Sequence, residues 1–208
     1  MTLLGRLCLV VMAGGAFAAA VGAVGGQTGV PPKSTERVVL VTEAGDIEIE
    51  LDLGRAPVTA GNFLKYLDAG MYKNGVFFRT VRLDNQPDSL VKIEVVQATS
   101  DPARDAEAFA AIPLERTTVT GLRHTDGAIS MGRAAPDTAQ SSFFICINDQ
   151  PELDVGGRRN PDGQGFAAFG HVTRGMDVVR KIQSAPHDQQ TLTPFIRILD
   201  ARRVKPAQ

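Results

Sequence analysis

Few side chains in this 208-residue chain are placed to do chemistry. His124, His171 and His187 are scattered without metal-ligand spacing. Asp46, Glu48, Glu50 and Asp52 alternate along one segment but lack the glycine and closing Glu of a calcium loop, so they read as a solvated acidic strand face. Gly163 to Ala168 spells G-x-G-x-x-A, yet Phe166 to Val172 reads as a strand where a dinucleotide site needs a helix. G-x-S-x-G, C-x-x-C and H-E-x-x-H are all missing from the sequence. Cys146 is the one thiol outside the N-terminal segment and reads as a small strand residue. Arg79 stands in the run Phe77-Phe78-Arg79-Thr80-Val81. Period two puts Phe77, Arg79 and Val81 on one face, and an arginine among apolar neighbours is costly unless paired or functional. Alone, it reads as a surface or ion-paired arginine.

The elements that would position such a group are short strands. His124 to Ile147 reads as strand, tight loop, strand. Ala128, Ile129 and Met131 form an apolar run closed by Gly132, and Pro136, Asp137 and Thr138 are turn formers. From Ser141 to Ile147, alternation puts Ser142, Phe144 and Cys146 on one face and Phe143, Ile145 and Ile147 on the other. Both faces then meet something apolar; one can be the core and the other a ligand surface. Upstream, Val38 to Val41, a turn at Glu43 to Asp46, and Ile47 to Leu51 make a hairpin with Ile47, Ile49 and Leu51 inward. Pro57 to Ala69 is a helix stopped by Gly70, with Val58, Phe63 and Leu67 as its buried stripe. Residues 82–91 form a long excursion. Ile93, Val95 and Gln97 share a strand face, and Asp101 caps a short helix expected to reach Ala111. Gly156 to Gly165 is a turn-rich loop. Met176, Val179 and Ile182 form the apolar side of a second helix, and Phe195 to Leu199 is the last strand. Many short strands with two helices predict an all-β barrel.

These ordered segments resemble the cyclophilin-type peptidyl-prolyl isomerases over nearly all of residues 38–204. The resemblance rests on H-T-D-G-A-I-S-M-G-R…S-S-F-F-I-C-I, on A-P-V-T-A-G-N-F-L-K-Y-L with Phe77-Phe78-Arg79, and on Phe166-Ala-Ala-Phe-Gly-His-Val before Gly175-Met176-Asp177. It implies a mainly β fold: a closed, eight-stranded antiparallel barrel capped by two α-helices. It also implies acceleration of rotation about Xaa-Pro bonds without a cofactor or metal. Rotation breaks amide resonance, and a guanidinium over the prolyl nitrogen stabilises the twisted state above either planar one. By resemblance Arg79 is that donor and Gln97 its helper. Phe77, Val95, Ser142, Phe144, Leu153 and Phe166 belong to the substrate pocket, and Gly132 and Arg133 match positions that bind substrate backbone. The rim departs from the family pattern. Phe78 stands for a usual His, Ser142 for a Gln, Glu152 for a frequent Trp and Phe166 for a common His. The alternative is a proline-binding or chaperone-like module with weak or no isomerase activity.

Residues 1–26 read as a signal peptide, with Arg6 before an uncharged run of Leu, Val, Ala and Gly. The rival is a retained membrane anchor. Residues 27–37 form a linker, 38–204 the domain and 205–208 a tail. The formal net charge of −1 offers no attraction for nucleic acid or an anionic membrane. The partners that the resemblance implies are proline-containing peptides and unfolded protein clients, met by a monomer that is periplasmic or secreted. A membrane enters only if the N-terminal segment is retained.

Overall fold

The computed structural model describes residues 34–204. The expected signal segment, most of the linker and the tail at 205–208 lie outside those residues.

Nine strands follow in chain order: β1 Thr35–Thr42, β2 Gly45–Asp52, β3 Val76–Val81, β4 Val95–Thr99, β5 Ala128–Met131, β6 Phe143–Cys146, β7 Ala167–Arg174, β8 His187–Asp188 and β9 Thr191–Arg203. Between them lie the helices α1 Pro57–Asp68, α2 Thr117–Thr120 and α3 Met176–Gln183. Hydrogen bonds link the strands in the order β1-β2-β7-β5-β6-β4-β3-β9, and β9 returns to β1. Eight antiparallel strands therefore close the barrel, as the resemblance implied, and closure leaves no open edge. The two-residue β8 pairs with β9 alone. Thr35 to Arg37, expected in the linker, are strand paired with Glu50 to Asp52.

The alternation in β2 and β6 sets the barrel's inside. Ile47, Ile49, Leu51, Phe143, Ile145 and Ile147 join one interior core. The helices α1 and α3 bury their apolar sides in the same core. Phe63 of α1 stacks on Tyr72 at 4.7 Å and meets Phe143 and Phe169 at 5.4 and 5.5 Å, which ties helix to barrel. A second, smaller apolar cluster sits on the other face of β4 and β6. Val81, Ile93, Val95, Phe144, Cys146 and Leu153 form it, with Phe166 packed against them.

Several local expectations need correction. Val58 is exposed rather than buried, because α1 turns Thr59, Ala60 and Phe63 inward and the Val58 amide instead donates to Glu115 Oε1. Asp101 does cap, accepting from the Ala103 amide at 3.0 Å, but the capped segment is a 3-10 stretch ending at Glu107, not a helix to Ala111. Arg104 leaves helical geometry inside it, and none of its residues is buried, so no packing extends it. The single-turn α2 was not expected from the sequence. The last strand runs the length of β9 because it serves both β1 and β3.

Candidate active site

The site is organised by a bulge in β3. Phe77 faces Ala98 and Arg79 faces Gln97, so two steps on β3 match one on β4 and Phe78 is the extra residue. A bulge of this kind turns the chain and reverses which face the following side chains meet. Phe77 therefore points into the barrel core, fully buried, while Arg79 and Val81 lie on the outer side. This corrects the expectation that Phe77, Arg79 and Val81 share a face and that Phe77 lines the pocket.

Arg79 is half-buried and held by neutral acceptors. Its Nη1 donates to Gln97 Oε1 at 3.0 Å, while Nε and Nη2 both donate to Gln190 Oε1, at 2.9 and 2.6 Å. Among the described residues no carboxylate pairs with it, so its charge is not neutralised. Burial lowers its pKa, and the nearby positive charge of Arg159 lowers it further. From so high a starting value the guanidinium remains charged. Gln97 is fixed in turn: its Nε2 donates to Ser142 Oγ at 3.1 Å, and Ser142 Oγ donates to Ala98 O at 3.1 Å. Ser142 thus braces Gln97 at the edge of the pocket. Gly132 closes this corner: a Cβ there would sit 3.0 Å from Ser142 Oγ and 3.1 Å from Gln97 Nε2, too tight for both to keep their places.

Beneath Arg79 lies a cavity of about 240 Å³. Ile93, Val95, Phe144, Leu153 and Phe166 give it an apolar floor, and Phe166 meets Phe144 edge-on at 5.3 Å. His124 stacks on the Phe144 ring from beneath, at 6.0 Å. Its Nδ1 donates to Asp154 Oδ1 at 2.7 Å, since a carboxylate can only accept, and Nε2 lies 2.9 Å from Ser130 Oγ. All three residues are buried, so this is a structural brace under the floor and not an accessible nucleophile. Arg133 lines the cavity but its side chain is tied back, with bonds to both oxygens of Asp162 and to Gly165 O over the Phe166 ring. Only its backbone is open to a ligand.

Arg79, Gln97, Val95, Gly132, Arg133, Phe144, Leu153 and Phe166 therefore meet at one cavity, with Ser142 adjoining. Three further residues border it that the sequence did not single out: Ile93, Arg159 and Asn160. Gln190 is a fourth that sequence reasoning missed. Ile93 had a signal, two places before Val95 on the face shared with Gln97. Arg159 and Asn160 lie in a loop that shows only turn residues, and Gln190 is 111 positions from Arg79.

A match to the family described as cyclophilin type peptidyl-prolyl cis-trans isomerase/CLD spans residues 37–203. This chain belongs to that family. Among cyclophilin relatives, the peptidyl-prolyl cis-trans isomerase A of Dickeya dadantii is 34% identical over 150 residues, 72% of each chain. Peptidyl-prolyl cis-trans isomerase B of Escherichia coli is 32% identical over 147 residues, 70% of this chain and 83% of its own. A solved structure of a Cryptosporidium parvum cyclophilin type isomerase, determined in the presence of the dipeptide Ala-Pro, superposes with a TM-score of 0.66. It covers 82% of this chain and 99% of its own at 22% identity, and at that identity it supports the fold alone.

Cyclophilin chemistry suits this geometry. The cavity offers an apolar floor for a five-membered ring, with the Arg79 guanidinium at its wall. The reaction moves no atoms between molecules, so the protein needs only to hold the ring and donate to the nitrogen as it becomes pyramidal. Among the described residues no cluster of His, Cys, Asp and Glu could hold a metal ion.

Proposed function

We propose that this chain exercises its family's isomerase activity at the Arg79 pocket, on unfolded clients outside the cytoplasm. One observation carries the site assignment: Arg79 lines a cavity with an apolar floor and is held there by neutral acceptors alone. A guanidinium paired with a carboxylate would have little field left for the prolyl nitrogen. This one keeps its charge, partly withdrawn from water, where it is stronger. The proline ring takes the floor made by Val95, Phe144, Leu153 and Phe166. Gly132 and the Arg133 backbone take the adjoining peptide. The Cryptosporidium structure was determined in the presence of Ala-Pro, a short Xaa-Pro peptide of the kind this reading expects.

Export is supported by Arg6 and the uncharged run after it, with small-residue cleavage sites at Ala16 to Ala23. The decisive measurement is the cis–trans exchange rate of an Ala-Pro peptide with and without protein. A rate equal to the uncatalysed one would overturn the enzyme reading. Mass spectrometry of the exported protein should show a first residue between about Ala19 and Gln27; an intact Met1 end would favour an anchor.

A further inference from the structure

The cavity has a second guanidinium. Arg159 stands in the loop before β7 and lines the same cavity as Arg79. Its Nη1 donates to Ser89 Oγ at 2.6 Å and to Val91 O at 2.8 Å, so the 82–91 excursion holds it in place. Its Nε and Nη2 carry no hydrogen bond among the described residues. The arginines around it are different: Arg133 faces Asp162, Arg158 faces Glu152 and Arg82 faces Asp84. Burial lowers the pKa of Arg159, and its charge depresses that of Arg79. Two partly desolvated cations thus share one cavity without a counter-ion among the described residues. An anion placed there relieves their mutual repulsion and meets open donors in the fork geometry a carboxylate matches. Three of the five N–H groups of Arg79 already serve Gln97 and Gln190, one on each nitrogen, whereas the whole Nε–Nη2 edge of Arg159 is open.

We propose that Arg159 is a specificity-determining residue that binds the carboxylate of an Asp or Glu flanking the proline, which makes acidic Xaa-Pro or Pro-Xaa sequences the preferred substrates. The proposal rests on the Arg79 pocket being the proline site. The apolar floor selects the ring; Arg159 selects the neighbour. Complementary charge of this kind acts on both affinity and encounter, and it weakens as salt rises.

The test uses matched peptides with Glu, Gln or Lys on either side of one proline. Affinity is read by titration and exchange rate by NMR. For the wild type, Glu on one flank should exceed Gln by about tenfold in affinity or kcat/KM, the size expected of one charge-assisted pair. Lys should fall below Gln, and raising ionic strength should compress the series. Arg159→Gln should abolish the ranking; Arg159→Lys should keep part of it, having the charge without the fork. Equal values for Glu, Gln and Lys in the wild type, or a Glu preference undiminished in Arg159→Gln, would overturn the proposal. If Arg159→Gln does not fold, because Ser89 and Val91 lose their anchor, the wild-type salt series and Arg159→Lys decide. A Glu preference in affinity with no acceleration would overturn the isomerase reading and sustain this one. Acceleration with no charge preference would overturn this one alone.

Discussion

Gln190 Oε1 accepts from two nitrogens of Arg79 at once, Nε at 2.9 Å and Nη2 at 2.6 Å, while its own Nε2 donates to Asn85 O at 3.1 Å. One amide thus ties the site arginine to the first turn of the 82–91 excursion. The choice of an amide matters. It fixes the plane of the guanidinium as a carboxylate would, and leaves its charge intact. Gln190 acts through Arg79 and is a positioning residue. Gln190→Ala should lower kcat about tenfold, the worth of a charge-assisted hydrogen bond, and leave KM nearly unchanged. Gln190→Glu should restore the geometry and still lower kcat, because it neutralises the donor. A Glu variant as active as wild type would mean that the charge of Arg79 is not what accelerates the reaction.

The same chain of bonds assigns work to the excursion itself. Asn85 Nδ2 donates to Thr80 O and Gln189 O, and its Oδ1 accepts from the Arg82 amide. Buried Gln86 spans the base of the loop, with bonds to Arg82 O and Ile93 O. Asn85→Ala should destabilise the fold by about 1–3 kcal/mol in denaturant titration. It should also reduce kcat, since the Asn85 carbonyl that accepts from Gln190 is no longer fixed by the side-chain bonds to Thr80, Gln189 and Arg82. Unchanged kinetics in a destabilised Asn85→Ala protein would separate the loop from the site.

Below the floor, burial alone would raise the pKa of the Asp154 carboxyl, but the hydrogen bonds and charge of His124, with the bond from Arg123, outweigh it and hold the carboxyl below its usual value. The folded pKa is thus lower than the unfolded one. The resulting stability is present above the unfolded value of about 3.9 and is lost as pH falls through the folded pKa. Asp154→Asn should therefore cost stability at neutral pH, with the gap to wild type closing below about pH 4. A gap that is constant from neutral to acid would show that the carboxylate's charge contributes nothing.

Cys146 points outward from β6 into the floor cluster and is fully buried. Burial raises its thiol pKa far above the ordinary value, and the negative charges of Asp154, Asp126 and Asp149 add to that. The reactive thiolate is suppressed twice over, by protonation and by access. Peptide mapping after alkylation should find Cys146 unmodified in the folded protein and fully labelled in denaturant. Rapid labelling of the native protein would contradict the packing of this cluster.

What the sequence made legible is what alternates. Phe144 and Phe143 on opposite faces of β6, and Ile47, Ile49 and Leu51 on one face of β2, come from period two, and with them the two apolar clusters. Phe77 escapes that period because one extra residue at Phe78 reverses the register without a glycine or other composition cue. Val58 is apolar yet stands on the solvent side of the first turn of α1, so residue type alone does not give its face. Gln190 and Arg159 act through contacts made only when distant loops meet: Arg79 with Gln190, Arg159 with Ser89. No local pattern encodes such pairs: the apolar floor is readable from alternation, Arg79 stands out only through the family resemblance, and Gln190, which holds Arg79 in place, shows in neither.

Arg79 itself provides the sharpest prediction. If it donates to the prolyl nitrogen chiefly in the twisted state, Arg79→Ala should lower kcat/KM by about a hundred- to thousandfold, or about 2.7–4 kcal/mol, and leave peptide affinity mostly intact. Arg79→Lys should recover little. The observed site needs one group that reaches Gln97 and Gln190 together and still faces the cavity, and an ammonium on a flexible stem has no planar fork to do this. Stability should change modestly, because Gln97 keeps Ser142 and Gln190 keeps Asn85 when the arginine is removed. The measurement pairs exchange rates with Xaa-Pro peptide affinities for both variants. A large loss of affinity with the residual rate little changed would show that Arg79 binds the ground state and does not stabilise the twisted one.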